Sequence, residues 1–268
     1  MQGGYSSEWG SATAKGGYSI EELVIKALND WEADTNARGW LVAMNYDLDK
    51  VEHINAVPFH RGKADIKVTL KLKDRRMSQE RIGVKKVDGN YNQVDRHSVD
   101  VYAGQFGFSD EVAQTLKKFC GVEGFRPLDL VRKGEMTKGQ MENLYNSRYS
   151  APDPPRRLTF REMPDEERER VLRELRDKKD HIIKTVFAGD PPTIDWFLVV
   201  RAEREKDGSY TIIETRFESL EDALERYSEG GIGMTRHGSI HIGKVIMQRK
   251  GGTPDPESLQ FKVKPWPD

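Results

Sequence analysis

The sequence is short of cysteine, short of histidine and without any long apolar run, and each shortage narrows what it can be. One cysteine and six histidines among 268 residues exclude a disulfide framework within the chain and a site built on Cys and His ligands. Any metal must therefore be held by oxygen. Cys120 closes the pattern Val112, Leu116, Phe119 and reads as a small core residue at a helix end rather than as a nucleophile. No apolar stretch approaches the roughly 18–20 residues that a membrane span needs. Residues 1–17 are rich in Gly and Ser and lack the apolar core of a signal peptide, so no membrane association and a cytoplasmic location are expected. Neither sign of charge prevails: 43 basic and 44 acidic residues leave a net charge of -1. That balance excludes a uniformly basic, DNA-coating protein and leaves local patches open.

What is present is a globular composition, 36% hydrophobic and 32% charged, long enough for one large domain or two small ones. After a flexible start over residues 1–13, Ser19-Ile20-Glu21-Glu22 has the form of a capping box. Ile20, Val24, Ala27, Leu28 and Trp31 follow at helical spacing. Trp40 to Met44 reads as a strand. From Asp65 to Lys73 the alternation is strict and puts Ile66, Val68, Leu70 and Leu72 on one face. The run Arg81 to Val87 reads as the partner strand of a hairpin. A helix over 109–119 precedes weakly periodic sequence that ends in the proline-rich run Ala151 to Pro155, the best internal boundary, which divides the chain into 14–150 and 151–268. Pro164 to Phe187 has an acidic first turn and a core stripe of Val171, Leu175, Ile182 and Val186, which predicts one long helix. Strands at 196–202 and 210–217, a helix at 219–227 and strands near 239–248 and 259–264 complete an α/β pattern, a mixed sheet with flanking helices and a β-rich C-terminal part.

Two groups of residues have chemical interest. Asp65 begins an alternating strand and Lys85 lies on the next. A carboxylate there can bind Mg²⁺ while an ammonium positions the attacking water in phosphodiester hydrolysis. The same pair also occurs on adjacent strands with no chemistry at all, and the spacing leaves both readings open. The stretch Gly230 to Pro254 carries Arg236, Lys244, Arg249 and Lys250, two histidines and no acid. Within it, Gln248 and Arg249 have the fork-shaped donors that read adenine and guanine edges. Tyr91, Asn92 and Gln93, followed by Arg96 and His97, form a second polar and aromatic cluster, which a short loop at Gly89-Asn90 explains equally well.

These segments resemble the HinPI-like type II restriction endonucleases and, more distantly, the MspI-like ones. The resemblance runs through Ala14 to Tyr18, Trp40 to Val42, Lys63 to Ile66, Val84-Lys85 and Tyr91 to His97. Its most specific part is His237 to Gly252 with Leu259 to Lys262; residues 1–13 and about 124–154 have no counterpart. It implies a PD-(D/E)XK nuclease fold, with a catalytic part over 14–150 and a DNA-recognition part over 151–268. It also implies Asp65 as metal ligand, Lys85 as catalytic lysine, Glu21 as a supporting acid and the Val84 carbonyl as a further metal ligand. The Gln93 loop would reach into DNA, and Arg236, His237, Ser239, Lys244, Gln248, Arg249 and Lys250 would supply contacts to it. Where the fold usually places an acid, and these relatives an amide side chain, the sequence has Gly83; water, Glu21 or Glu80 would then complete the metal shell. The implied cofactor is Mg²⁺, with Mn²⁺ substituting and Ca²⁺ binding without cleavage. The implied partners are double-stranded DNA and a cognate DNA methyltransferase outside any stable complex, with the nuclease a monomer or homodimer. A catalytically weakened DNA-binding protein and a repair nuclease on the same fold are the alternatives.

Overall fold

The computed structural model describes residues 20–87, 91–120, 134, 137, 139–140, 159–249 and 258–264. The chain divides into two compact units: Met1–Asn92 with Phe187–Arg226 and Asp268, and Gln93–Val186 with Tyr227–Pro267. The chain leaves the first unit after Asn92, returns at Phe187 and leaves again after Arg226. The predicted boundary at 151–155, Ser19 of the capping box and Lys250 of the basic strip lie outside the described residues.

In the first unit a helix over residues 20–29 (α1) and α2, Thr35–Ala43, precede the strands β1 (Val51–Arg61), β2 (Ala64–Leu72), β3 (Met77–Lys86), β5 (Trp196–Arg204) and β6 (Tyr210–Ser219). These strands form one sheet in the order β1-β2-β3-β5-β6. All its pairings are antiparallel except β3 with β5, which are parallel. The alternation read from the sequence is the alternation seen: Ile66, Val68 and Leu70 are fully buried together with Ile20, Val24, Leu28, Trp40 and Leu41. Burial of this kind is the main stabilising force, and truncating one such residue to Ala costs about 2–5 kcal/mol.

The strand expected at Trp40 to Met44 is instead the second half of α2. Asp34 caps that helix, its side chain accepting the Ala37 N–H, and Ala37, Trp40 and Leu41 recur at helical spacing toward the core. The aromatic residue that favoured a strand packs over Phe217, with ring centroids 6.2 Å apart, so tertiary burial overrides local propensity.

The second unit holds the sheet β4-β10-β9-β8-β7, made of β4 (Asn92–Ser98), β7 (Ile232–Met234), β8 (Ile240–Ile242), β9 (Val245–Arg249) and β10 (Ser258–Val263). Its helices include α3 (Val99–Phe106), α4 (Asp110–Cys120) and α5 (Asp165–Asp177). Phe261 meets Tyr102 edge-on at 5.0 Å and Phe106 at 6.0 Å, which anchors α3 to the sheet. Cys120 ends α4 and is buried, as its pattern predicts. The long helix expected over Pro164 to Phe187 is broken at Lys178 into α5 and α6, Lys179–Ala188. A further helix, α7, spans Leu220–Ser228.

Candidate active site and nucleic-acid interface

Asp65 is the second residue of β2, on the face opposite Ala64, Ile66 and Val68. The β2–β3 pairing ends with Ile66 opposite Ile82. Just beyond it the Asp65 carboxylate accepts the Val84 N–H at 2.6 Å. That charge-assisted bond fixes the carboxylate against the backbone of β3. Lys85, the next residue, brings its Nζ to 3.9 Å from the same Asp65 oxygen, with both side chains about three-quarters buried. The two residues expected to share a site do so, across one hairpin.

Glu21 belongs to this cluster electrostatically. Burial raises its carboxyl above the usual range, the Asp65 charge raises it further, and His60 and Lys85 oppose the rise. His60 Nδ1 stands 3.8 Å from Glu21 Oε2, a neighbour the sequence reading did not single out. Glu80 is a different case. It shares the face of Ile82 and Val84, opposite Gly83 and Lys85. Its carboxylate accepts from the Tyr46 hydroxyl, from Ser78 at 3.2 Å and from Trp196 Nε1 at 2.9 Å. Burial and this carboxylate push the Tyr46 hydroxyl up to about 12. A carboxylate so engaged holds the sheet together rather than reaching toward Asp65.

The walls of the site come from distant sequence. The turn before Asp65 uses Gly62 at φ +65°, where a Cβ would sit 2.6 Å from the Thr193 side chain, so only glycine fits. Thr193 Oγ1 accepts the Lys63 N–H at 2.7 Å and donates to the Ala188 carbonyl at 3.0 Å. Arg81 grips Asp195 through two guanidinium bonds of 3.0 and 2.7 Å and its own N–H. Nothing local in the sequence signals these pairs, which are 130 and 114 residues apart. A Cβ on Gly83 would lie 3.1 Å from the Lys63 carbonyl and 3.4 Å from Ile194, so the backbone around this position leaves little room for a larger residue.

In the second unit Gln93, Arg96, Arg236 and His237 are exposed, as is Tyr91 in the first unit. Asn92 is buried, and its amide donates to the Lys86 carbonyl at 2.8 Å. Lys244 pairs with Glu229 at 2.6 Å, so an acid just outside the basic strip offsets part of its charge. The Ser239 N–H donates to Thr235 Oγ1 at 3.0 Å. Gln248 and Arg249, adjacent on β9, point to opposite faces of the sheet.

One solved structure stands close to this arrangement, the restriction endonuclease MspI in complex with its cognate DNA. The match has a TM-score of 0.53 at 13% identity and covers 91% of this chain and 83% of that one. The fold is that of a restriction endonuclease. The mixed sheet with its flanking helices fits the PD-(D/E)XK core of such nucleases. No protein-family model and no curated protein matches the sequence, so the restriction-endonuclease fold is carried by the structure.

Among the described residues no group of three or more His, Cys, Asp or Glu side chains is arranged to hold a metal ion. The donors at hand are the Asp65 carboxylate, the Val84 carbonyl and Glu21, whose carboxyl feels Asp65. All are hard oxygen donors, and two carboxylates that repel each other gain from a cation. Such a sparse set fits Mg²⁺, which keeps several waters and binds through one or two carboxylates.

Proposed function

We propose that this chain is a Mg²⁺-dependent type II restriction endonuclease of the HinPI kind. It would cut both strands of DNA at a short, G·C-rich, tetranucleotide palindrome. The observation that carries the reading is the juxtaposition of Asp65, Val84 N–H and Lys85 on one hairpin of a restriction-endonuclease fold. Asp65, the Val84 carbonyl and Glu21 are the groups that would hold the ion, and Mg²⁺ supplies charge neutralisation at the phosphate undergoing attack. Lys85 orients the attacking water and favours its hydroxide form. Water oxygen bonds to phosphorus, the bond from phosphorus to the 3′ oxygen breaks, and the products carry a 5′-phosphate and a 3′-hydroxyl. Mn²⁺ should replace Mg²⁺, and Ca²⁺ should bind without supporting cleavage.

Tyr91, Gln93, Arg96, Arg236, His237, Ser239, Lys244, Gln248 and Arg249 are the proposed DNA contacts among the described residues, with Lys250 beyond them. The partner is double-stranded DNA. A companion methyltransferase acts on the same sequence without a stable complex, and the nuclease works as a monomer or homodimer. Gly83 favours a second reading, a DNA-binding protein whose cleavage has weakened.

Incubation of supercoiled plasmid with protein and Mg²⁺, then with Ca²⁺, separates these readings. Discrete, reproducible fragments with 5′-phosphate ends are expected with Mg²⁺ alone. A retarded but intact plasmid in both ions would establish the binding protein instead, and a smear of unspecific products would reject site-specific cleavage.

A further inference from the structure

Beside the basic strip the second unit contains a cleft of ≈ 200 Å³ lined by Phe119, Thr159, His237, Gly238, Ser239, Gln248 and Arg249. Its construction is close and specific. Gly238 has φ +73° and a Cβ there would lie 2.7 Å from Thr159, while its carbonyl accepts the Phe160 N–H at 3.0 Å. These contacts hold the turn at 235–239 against residues 159–160.

Arg249 is the one permanent charge in the lining. Its side chain stands on the face of β9 that carries the buried Val245 and Met247. Its guanidinium carbon lies 5.6 Å from the centroid of Phe119, and NH1 donates to the Phe119 carbonyl at 3.3 Å. Phe119 is itself 2% exposed and packs edge-on against Phe160 at 5.7 Å. The carbonyl belongs to the last turn of α4, where helix carbonyls lack intrahelical partners and favour a cation. The guanidinium is thereby oriented before any ligand arrives, which lowers the ordering cost of binding.

A base reader has to extend its donors into a groove, because base edges are recessed there. Arg249 is drawn back into a concavity instead. Phosphates project outward from a duplex and can enter a recess. The lining has no carboxylate among its residues, and the imidazole of His237 and the hydroxyl of Ser239 add groups able to donate to anionic oxygen. Thr159 is committed differently, its hydroxyl donating to Glu162 at 2.9 Å. We infer that this cleft is a phosphate site in which Arg249, held on Phe119, takes one backbone phosphate of the DNA. Arg249 then positions the duplex and reads no base. The inference rests on the nuclease reading for its ligand, and not for its geometry.

Two measurements test it. Binding of Arg249→Gln and His237→Ala to a random-sequence duplex, and to a duplex bearing the sequence mapped by plasmid digestion, is followed by fluorescence anisotropy over a range of KCl concentrations. Thermal melts verify that both variants fold. For Arg249→Gln, both duplexes should weaken alike, roughly tenfold, and the slope of log affinity against log salt should become shallower by about one. His237→Ala should give a smaller loss, again equal on both duplexes. Loss confined to the mapped sequence, or no loss on either duplex, overturns the inference. The second measurement titrates inorganic phosphate into isotopically labelled wild-type protein and follows the His237 ring and Arg249 Nε resonances. If these shift while no duplex binds, the phosphate site stands and the nuclease reading fails. If they do not shift and no duplex binds, both fail.

Discussion

The two sheets solve different problems. In the first, β1, β2 and β3 are 11, 9 and 10 residues long, pair over most of their length and bury one face on α1 and α2. In the second, β7, β8 and β9 have 3, 3 and 5 residues, and their connections carry the exposed polar side chains. Hydrolysis of a phosphodiester depends on placing a carboxylate and an ammonium to a fraction of an ångström, and long paired strands supply that rigidity. Contact with DNA depends on reach and variety, which short strands and turns supply. The lesson is that the Asp65–Lys85 cluster should tolerate little change, while the β7–β9 region can be altered residue by residue without loss of the fold.

That contrast can be attacked from its strongest point. Asp65→Ala should abolish Mg²⁺-dependent cleavage in a plasmid assay and leave duplex binding in Ca²⁺ within a small factor; measurable cutting would remove Asp65 from the site. Lys85→Ala should lower the rate on the order of 10²–10⁴-fold with unchanged fragment lengths, and new cut positions would contradict its assignment to the water.

Glu21→Gln should lower the rate ~10–100-fold, as losses of groups supporting a metal site do. Stability moves the other way. Because the carboxyl is raised in the folded protein, the folded state binds a proton more tightly than the unfolded chain. The wild type therefore loses stability as pH rises from the ordinary carboxylate range through the raised value. Melts in EDTA should show the variant gaining on the wild type through mildly acidic pH, with a constant difference above it. A difference independent of pH would mean the group is not raised.

Gly83→Ala tests the walls rather than the reacting groups. Replacing a strand glycine by alanine gains about 0.4–1 kcal/mol through the unfolded chain, but the new Cβ, 3.1 Å from the Lys63 carbonyl, is overpacked at a cost of about 1–3 kcal/mol. A net loss in chemical denaturation is expected, with slower cleavage because Lys63 lies two residues from Asp65. The smallest effect belongs to the second sheet. Gln248→Ala should weaken the mapped site by about 1–3 kcal/mol with random duplex unaffected and with the melting temperature within a degree or two of wild type.

How much of this was legible beforehand depended on distance along the chain. The strand Asp65 to Lys73, its partner at Arg81 to Val87 and the helix at 109–119 agree with β2, β3 and α4 to within a few residues, because local periodicity determines them. β1 and α3 escaped notice. β1 is Val51–Arg61 with two successive exposed residues, Glu52 and His53, and only half-buried Val57 and Phe59, so its alternation breaks down; α3 is short and follows directly on β4. The pairing of Asp65 with Lys85 could be inferred because one hairpin joins them. Thr193, Asp195 and His60 could not, since each acts across a contact that no local pattern encodes. Arg249 shows the other limit: its residue type was visible, but its withdrawal onto Phe119 depends on α4, some 130 residues earlier.

The parallel pairing of β3 with β5 has a consequence for how this protein is made. Ile82 lies opposite Trp196, and parallel neighbours cannot be joined by a tight turn. During synthesis the β2–β3 hairpin can close once Lys86 has left the ribosome. Its outer edge waits, unpaired, until more than a hundred further residues have followed. An open strand edge invites adventitious pairing with other chains, and contacts of such sequence separation form slowly. A chain released early keeps Asp65 and Lys85 but lacks Thr193 and Asp195, the residues that clamp Lys63 and Arg81. Under the proposed function, such incomplete products would carry the reactive pair without the frame that orients it.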